Sequence, residues 1–225
     1  IGVGLVGSEM CIRDSKKCDL VVVLILKYHG SKYVSCPKYF FTTTSGRYID
    51  LLLIHWPQPA VPLEETLGAL IKAKREGLAK NIGISNFTVE LVHKAVQLSS
   101  EPILTNQIEY HPYINQDKIL TVCRHYGISV TCHVPLARGK VLTDPKIIKI
   151  ARFHNKSPAQ ITLKWLTQQE NIIAVPRGLI KKEIIENISI YDFTLSDEET
   201  EIISSLREKN LRLVDPKVRR PVWDT

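Results

Sequence analysis

Apolar residues run almost without a break through residues 48–55 (YIDLLLIH), as a strand buried on both faces requires. Pro57, Pro59 and Pro62 make the loop that follows. Pro62 suits the first turn of a helix, where Glu64 and Glu65 are also favourable. Leu63, Leu67, Leu70, Ile71 and Lys74 then recur at three- and four-residue steps, and Gly77 is placed to end the helix. The alternation repeats down the chain. Residues 81–85 read as a strand and 88–98 as a helix with Thr88 as its cap. Residues 103–108 are a strand, 117–126 a helix ending at Gly127, and 128–133 a strand followed by helices over 145–154 and 158–168. Residues 172–175 form a further strand, 181–188 a helix, and 196–206 a last helix opened by a capping box of Ser196 and Glu199.

Five strand–helix units joined by short loops imply a parallel sheet, either doubly wound or closed into a barrel. No Gly-x-Gly-x-x-Gly follows any of these strands, which removes the main support for a dinucleotide fold of the doubly wound kind. The strand ends carry His55-Trp56, Ser85-Asn86, Gln107 to Glu109, His133 and Arg177, polar groups capping apolar strands. A barrel gathers functional groups at just those ends, so the expected fold is an α/β (β/α)8 barrel, incomplete, with units corresponding to strands 4–8.

Residues 1–47 have a different character: a Gly-rich start, a basic patch (Arg13, Lys16, Lys17), one strand-like run at 21–26 and a Tyr/Thr/Ser-rich stretch. The organisation expected is therefore an unassigned segment at 1–47 and a barrel portion at 48–225. The whole chain has 225 residues, 44% hydrophobic and 24% charged, and carries a net charge of +7. Seven Lys/Arg stand against three Asp/Glu in residues 1–47, and 23 against 20 in the remainder, so the bulk of the chain is nearly balanced. That balance argues against nucleic acid as a partner. The longest aliphatic run, seven residues at 20–26, argues against a membrane span. Five cysteines (Cys11, Cys18, Cys36, Cys123, Cys132) at irregular gaps form neither a zinc motif nor a disulfide framework. The expectation is a cytoplasmic monomer without a metal.

LLLIHWP (51–57), GISNF (83–87), NQIEYHP (106–112), VPL (134–136) and the pair Glu186-Asn187 resemble the aldo-keto reductases, most nearly their bacterial 2,5-diketo-D-gluconate reductase branch. The motifs are colinear over residues 48–225. The resemblance implies an NADPH-dependent oxidoreductase that reduces aldehydes or ketones, with a small carbonyl compound as substrate. In such chemistry hydride arrival leaves negative charge on the carbonyl oxygen, which needs a proton donor and a preorganised polar pocket.

By that resemblance His55 matches the family's catalytic His, and Trp56 a residue lining the substrate pocket. A backbone-bonded core His and a rim Trp are the alternatives. Ser85, Asn86 and Gln107 match residues that hydrogen-bond the nicotinamide carboxamide; loop or cap hydrogen bonding is the alternative. Unpaired buried amides cost about 1–3 kcal/mol, so these side chains need partners. His133 falls where the family usually stacks a Tyr on the nicotinamide, and Leu136 where a residue packs near the pyrophosphate; both also suit plain barrel packing. Arg177, in Val-Pro-Arg-Gly, matches the Lys that grips the 2′-phosphate, with Lys182 beside it, and Glu186 and Asn187 match adenine ligands. Glu183 stands where the family often has an Arg and would repel a phosphate; a solvated basic helix start is the bland reading of Lys181 and Lys182.

The family's Asp, Tyr and Lys belong ahead of His55, and residues 1–47 show no match to them. Three strand–helix units need about 90 residues at about 30 each, and only 47 precede the first clear strand. The chain is thus expected to be the carboxyl-terminal two-thirds of a reductase with an altered front. The alternative is a non-catalytic NADP(H)-binding or interaction protein derived from one.

Overall fold

Six parallel strands make one sheet in the computed structural model, which describes residues 23–26, 49–57, 61–217 and 220–224. They are β1 (Val23–Leu26), β2 (Ile49–Ile54), β3 (Ala79–Ser85), β4 (Ile103–Glu109), β5 (Ser129–His133) and β6 (Ile172–Ala174). Their order in the sheet is their order in the chain. A doubly wound sheet reverses direction at a switch point, with helices on both faces. Here the crossovers from β2 to β6 all step the same way, and right-handed connections then put the helices between those strands on one face and make the other a barrel interior. The barrel expectation is met, and the strand-like run at 21–26 contributes a sixth strand ahead of the five units: β1 pairs with β2 in the register Leu24 to Leu52. The rest of segment 1–47 and its predicted features, Tyr48, and Pro59 in the loop at 58–60 lie outside the described residues.

The helices are α1 (Leu63–Arg75), α2 (Val89–Leu98), α3 (Asp117–His125), α4 (Pro145–Phe153), α5 (Pro158–Thr167), α6 (Lys181–Ile188) and α7 (Asp197–Ser204). Alternate strand residues Leu52, Ile54, Ile82, Ile84, Ile108, Val130 and Cys132 pack outward against Leu67 and Leu70 of α1, Val92 of α2, Ile119 of α3, Ile147 of α4 and Leu166 of α5. Each such fully buried aliphatic side chain contributes about 1.5–3 kcal/mol.

The inward set is smaller and more polar. Leu53 faces Gly83 in register, and the Thr105 and Thr131 hydroxyls meet at 2.9 Å. A Cβ at Gly83 would come 2.9 Å from the Thr105 carbonyl and collide with Leu53, so only glycine fits there.

Helix ends follow the predicted signals with two exceptions. Gly77 and Gly127 end α1 and α3 at φ 72° and 66°. Ser196 and Glu199 cap α7 reciprocally, and Ser157 with Gln160 does the same for α5. Thr88 occupies the cap position of α2, but its hydroxyl caps nothing; the Asp224 carboxylate accepts the Val89 N–H instead, at 2.9 Å. Unpredicted short turns span Ala137–Thr143, with Val134, Ala137 and Arg138 in the left-handed region. The last helix gives way after Ser204 to a 3-10 turn, Ser205–Lys209, and residues 210–217 and 220–224 then form an irregular strap that reaches the sheet's carboxyl end at Glu109 and Trp56.

Candidate functional site at the strand ends

Leaving β3, Asn86 turns sharply at φ 63°, a conformation asparagine tolerates better than most residues. The turn lets one side chain bridge three neighbours. Asn86 Nδ2 donates to the His55 carbonyl at 2.9 Å and to Ser85 Oγ at 3.1 Å, while its Oδ1 accepts from His133 Nε2 at 3.2 Å. Ser85 Oγ in turn donates to the Gln107 carbonyl at 2.8 Å, which also accepts the Asn86 N–H at 2.9 Å. One network thus joins the ends of β2, β3, β4 and β5. Ser85, Asn86, Gln107 and His133 are all at most 5% exposed; His55 is half-buried.

Two consequences follow from that burial. His133 donates through Nε2, so its neutral tautomer is the one drawn by the network. Burial pushes its pKa down to about 4; the Glu109 charge opposes this, and His55, His111 and Arg212 add to it. The ring is therefore uncharged at neutral pH. Gln107 Nε2, by contrast, is buried without a hydrogen-bond partner. An orphaned amide donor of this kind costs about 1–3 kcal/mol and demands explanation.

Beside this cluster the rings of His55 and Trp56 lie 6.1 Å apart, and Trp56 in turn meets Trp223 of the strap edge-on at 6.1 Å. Leu136 is half-buried at the head of the turns over 137–143, where its carbonyl accepts the Gly139 N–H.

The remaining predicted residues form a second group past β6. Arg177, Lys181 and Lys182 are exposed, Glu186 is half-buried and Asn187 buried. Gly178 is tightly enclosed: a Cβ there would lie 3.0 Å from the Ile184 side chain. Glu183 accepts the Leu179 N–H at 2.7 Å, so a carboxylate already occupies an amide at the amino end of α6.

Sequence reasoning placed Glu109 at a strand end but missed its role and the strap it holds. Glu109, 1% exposed, ends β4. Its Oε1 accepts from His111 Nε2 at 2.9 Å and from the Leu213 N–H at 2.6 Å; its Oε2 accepts the Val214 N–H at 2.8 Å. Burial alone would raise its pKa, but these bonds outweigh it and hold the carboxyl below the usual range. A charge at a strand end inside the NQIEYHP motif was the available signal. Partners 104 and 105 residues downstream leave none.

Among the described residues no cluster of His, Cys, Asp or Glu is arranged to hold a metal, and no helix is long and apolar enough to cross a membrane. Cys123 and Cys132 are free, buried thiols; burial pushes Cys123 up to about 11 and Cys132 well above its ordinary value.

Residues 40–208 match the model of the Aldo/keto reductase family. Over 180 residues the chain is 41% identical to methylglyoxal reductase DkgB of Escherichia coli O157:H7, covering 79% of this chain and 67% of that protein. The crystal structure of a protein assigned as 2,5-diketo-D-gluconic acid reductase B superposes with a TM-score of 0.84 at 38% identity, covering 86% of this chain and 69% of that one. An aldo-keto reductase of Bombyx mori in complex with NADP superposes with a TM-score of 0.74 at 30% identity, covering 81% and 64%. The chain spans about two thirds of the length of these relatives.

Proposed function

The chain belongs to the aldo/keto reductase family, and from that premise we propose that it binds NADPH across these strand ends and reduces a small aldehyde or ketone to the alcohol. The observation that carries this is the unpartnered Nε2 of Gln107 within an otherwise closed network. A carboxamide is a matching guest: its oxygen can take the Gln107 proton, and its N–H can use the lone pairs left on Asn86 Oδ1 and Ser85 Oγ. The neutral His133 ring offers a flat wall that does not repel the positively charged oxidised nicotinamide. Leu136 would pack near the pyrophosphate, Arg177 and Lys182 would attract the 2′-phosphate, and Glu186 and Asn187 would hold the adenine.

NADPH, when bound, supplies the hydride. The residues of the chain do the rest. His55 donates to the substrate carbonyl oxygen and steadies the negative charge that develops there. Trp56, with Trp223 against it, walls the substrate side. The family's Tyr, Lys and Asp have no assigned counterpart among the described residues, so the proton that completes the alcohol comes from water, and turnover is expected about 100- to 10,000-fold below that of an enzyme with a positioned general acid. The non-catalytic alternative finds no support in the relatives, which are named as reductases.

Residues 48–225, with β1 as an added strand, are the barrel portion in this reading. Buried free thiols suit a cytoplasmic protein, and we take it to be a monomer, which light scattering checks. The direct test is titration with NADPH followed by fluorescence, then methylglyoxal-dependent oxidation of the bound cofactor. Micromolar binding with slow turnover is expected. Absence of binding overturns the site, and binding without turnover overturns the catalytic reading alone.

A further inference from the structure

The strap that closes the chain is tied down at three points. The Leu211 N–H donates to the Tyr113 carbonyl at 2.6 Å, Leu213 and Val214 donate to Glu109, and Asp224 accepts from Val89 on α2. Between the last two ties, Trp223 is set against Trp56, with the Arg212 guanidinium 3.7 Å above its ring centre and Asp215 accepting its indole N–H at 2.9 Å. The middle tie is the unusual one. A charged carboxylate is buried to 1% exposure, and three donors consume both its oxygens, so it is committed to holding rather than to acid–base work. His111 completes the hold: the Tyr113 N–H donates to its Nδ1 at 3.3 Å, which leaves Nε2 carrying the proton aimed at Glu109. His111 itself is fully buried.

We propose that Glu109, oriented by His111, is a positioning residue for substrate: by gripping the Leu213 and Val214 amides it sets Trp223 against Trp56 and so fixes the wall that a carbonyl compound meets. This rests on the reading that Trp56 borders the substrate. An apolar residue at position 109 would leave two strap amides without their acceptor.

The test is Glu109→Gln, which keeps the shape but turns one acceptor oxygen into a donor. Loss of a hydrogen bond to a charged group corresponds to about 10- to 100-fold in an equilibrium. Trypsin should therefore cut after Arg212 or Lys217 at least ~10-fold faster in the variant. The near-UV circular dichroism of the Trp56–Trp223 pair should fall to the level of Trp223→Phe. KM for methylglyoxal should rise by about the same ~10-fold while kcat and the NADPH Kd stay within about 2-fold. In a Trp223→Ala background Glu109→Gln should add nothing further to KM. Unchanged cleavage and dichroism, or a KM effect that persists without Trp223, overturns the proposal. Should the variant not fold, hydrogen exchange in the unaltered protein decides. Slow exchange at the Leu213 and Val214 amides supports the grip, and exchange as fast as at exposed amides overturns it. If the unaltered chain neither binds NADPH nor turns over methylglyoxal, the functional reading fails while the cleavage, dichroism and exchange results still judge the grip.

Discussion

At the ends of β2 to β5 the proposed site is buried, and its polar side chains bond to one another; past β6 its cations face solvent. The first half sits on strands whose register is fixed by parallel ladders, Ser85 opposite Gln107 and Glu109 opposite His133. The second half sits on a helix start where Glu183 already satisfies an amide. One is preorganised and shielded from salt. The other works through charge in water, where single contacts contribute less. The contrast suggests that the nicotinamide end provides rigidity and orientation, and the adenosine end a modest, salt-sensitive preference.

The sharpest break in that contrast is Asn86→Ala. It removes three side-chain hydrogen bonds that tie together the ends of β2, β3 and β5, and puts a Cβ-only residue at φ 63°. At about 1 kcal/mol per bond plus the left-handed penalty, unfolding free energy should fall by about 3–5 kcal/mol, and NADPH binding should vanish with it. Urea denaturation measures the first and fluorescence titration the second. A loss below about 1 kcal/mol would mean the network is decoration.

Gln107→Leu should separate what Asn86→Ala couples. The substitution discards an orphaned donor, so stability should hold or rise slightly. NADPH affinity should nevertheless fall about 10- to 100-fold, the worth of one lost hydrogen bond in a dry site. Falling stability with unchanged affinity would reverse the assignment.

Those two variants also mark how far the sequence could be read. Strands and helices were legible wherever one residue type has one job: the apolar run of β2, the three- and four-residue steps of α1, the reciprocal Ser196–Glu199 cap. Convergence of His55, Ser85, Asn86, Gln107 and His133 was legible because strand ends in a parallel barrel must meet. What stayed hidden depends on partners far along the chain. Thr88 looked like a cap, yet Asp224 does the capping from 135 residues away. The turns at 137–143 use left-handed Val134, Ala137 and Arg138, residues that carry no signal for that conformation. Glu109 declared a need, and nothing local named Leu213 and Val214 as its answer.

A smaller effect comes from acid. His133 is held neutral, with a folded pKa near 4 against 6.5 when free. Between those values the unfolded chain binds the extra proton, so this group makes stability fall as pH drops from about 6.5 toward 4, by about 1.4 kcal/mol per unit, and adds no further loss below. Glu109, held below its ordinary value of 4.5, loses its contribution lower still, as pH falls from about 4.5 through its folded value. His133→Gln keeps a donor for Asn86 Oδ1 without the titration. Its denaturation midpoint should flatten between pH 6.5 and 5, and an unflattened slope would assign the loss to other groups.

The smallest effects belong to the exposed half, and there the sign carries more than the size. Arg177→Ala should weaken NADPH by about 3- to 5-fold, the scale of one exposed charge pair, leave NADH nearly unchanged, and lose its effect in high salt. Equal losses for both cofactors would remove the 2′-phosphate from Arg177. Glu183→Gln probes the same place from the opposite side. Glutamine still accepts the Leu179 N–H but no longer repels a phosphate, so NADPH should bind about 2- to 3-fold tighter with NADH unaffected. If neither substitution distinguishes the two cofactors, the charges past β6 serve only to solvate the start of α6, and discrimination between them has to come from the buried half.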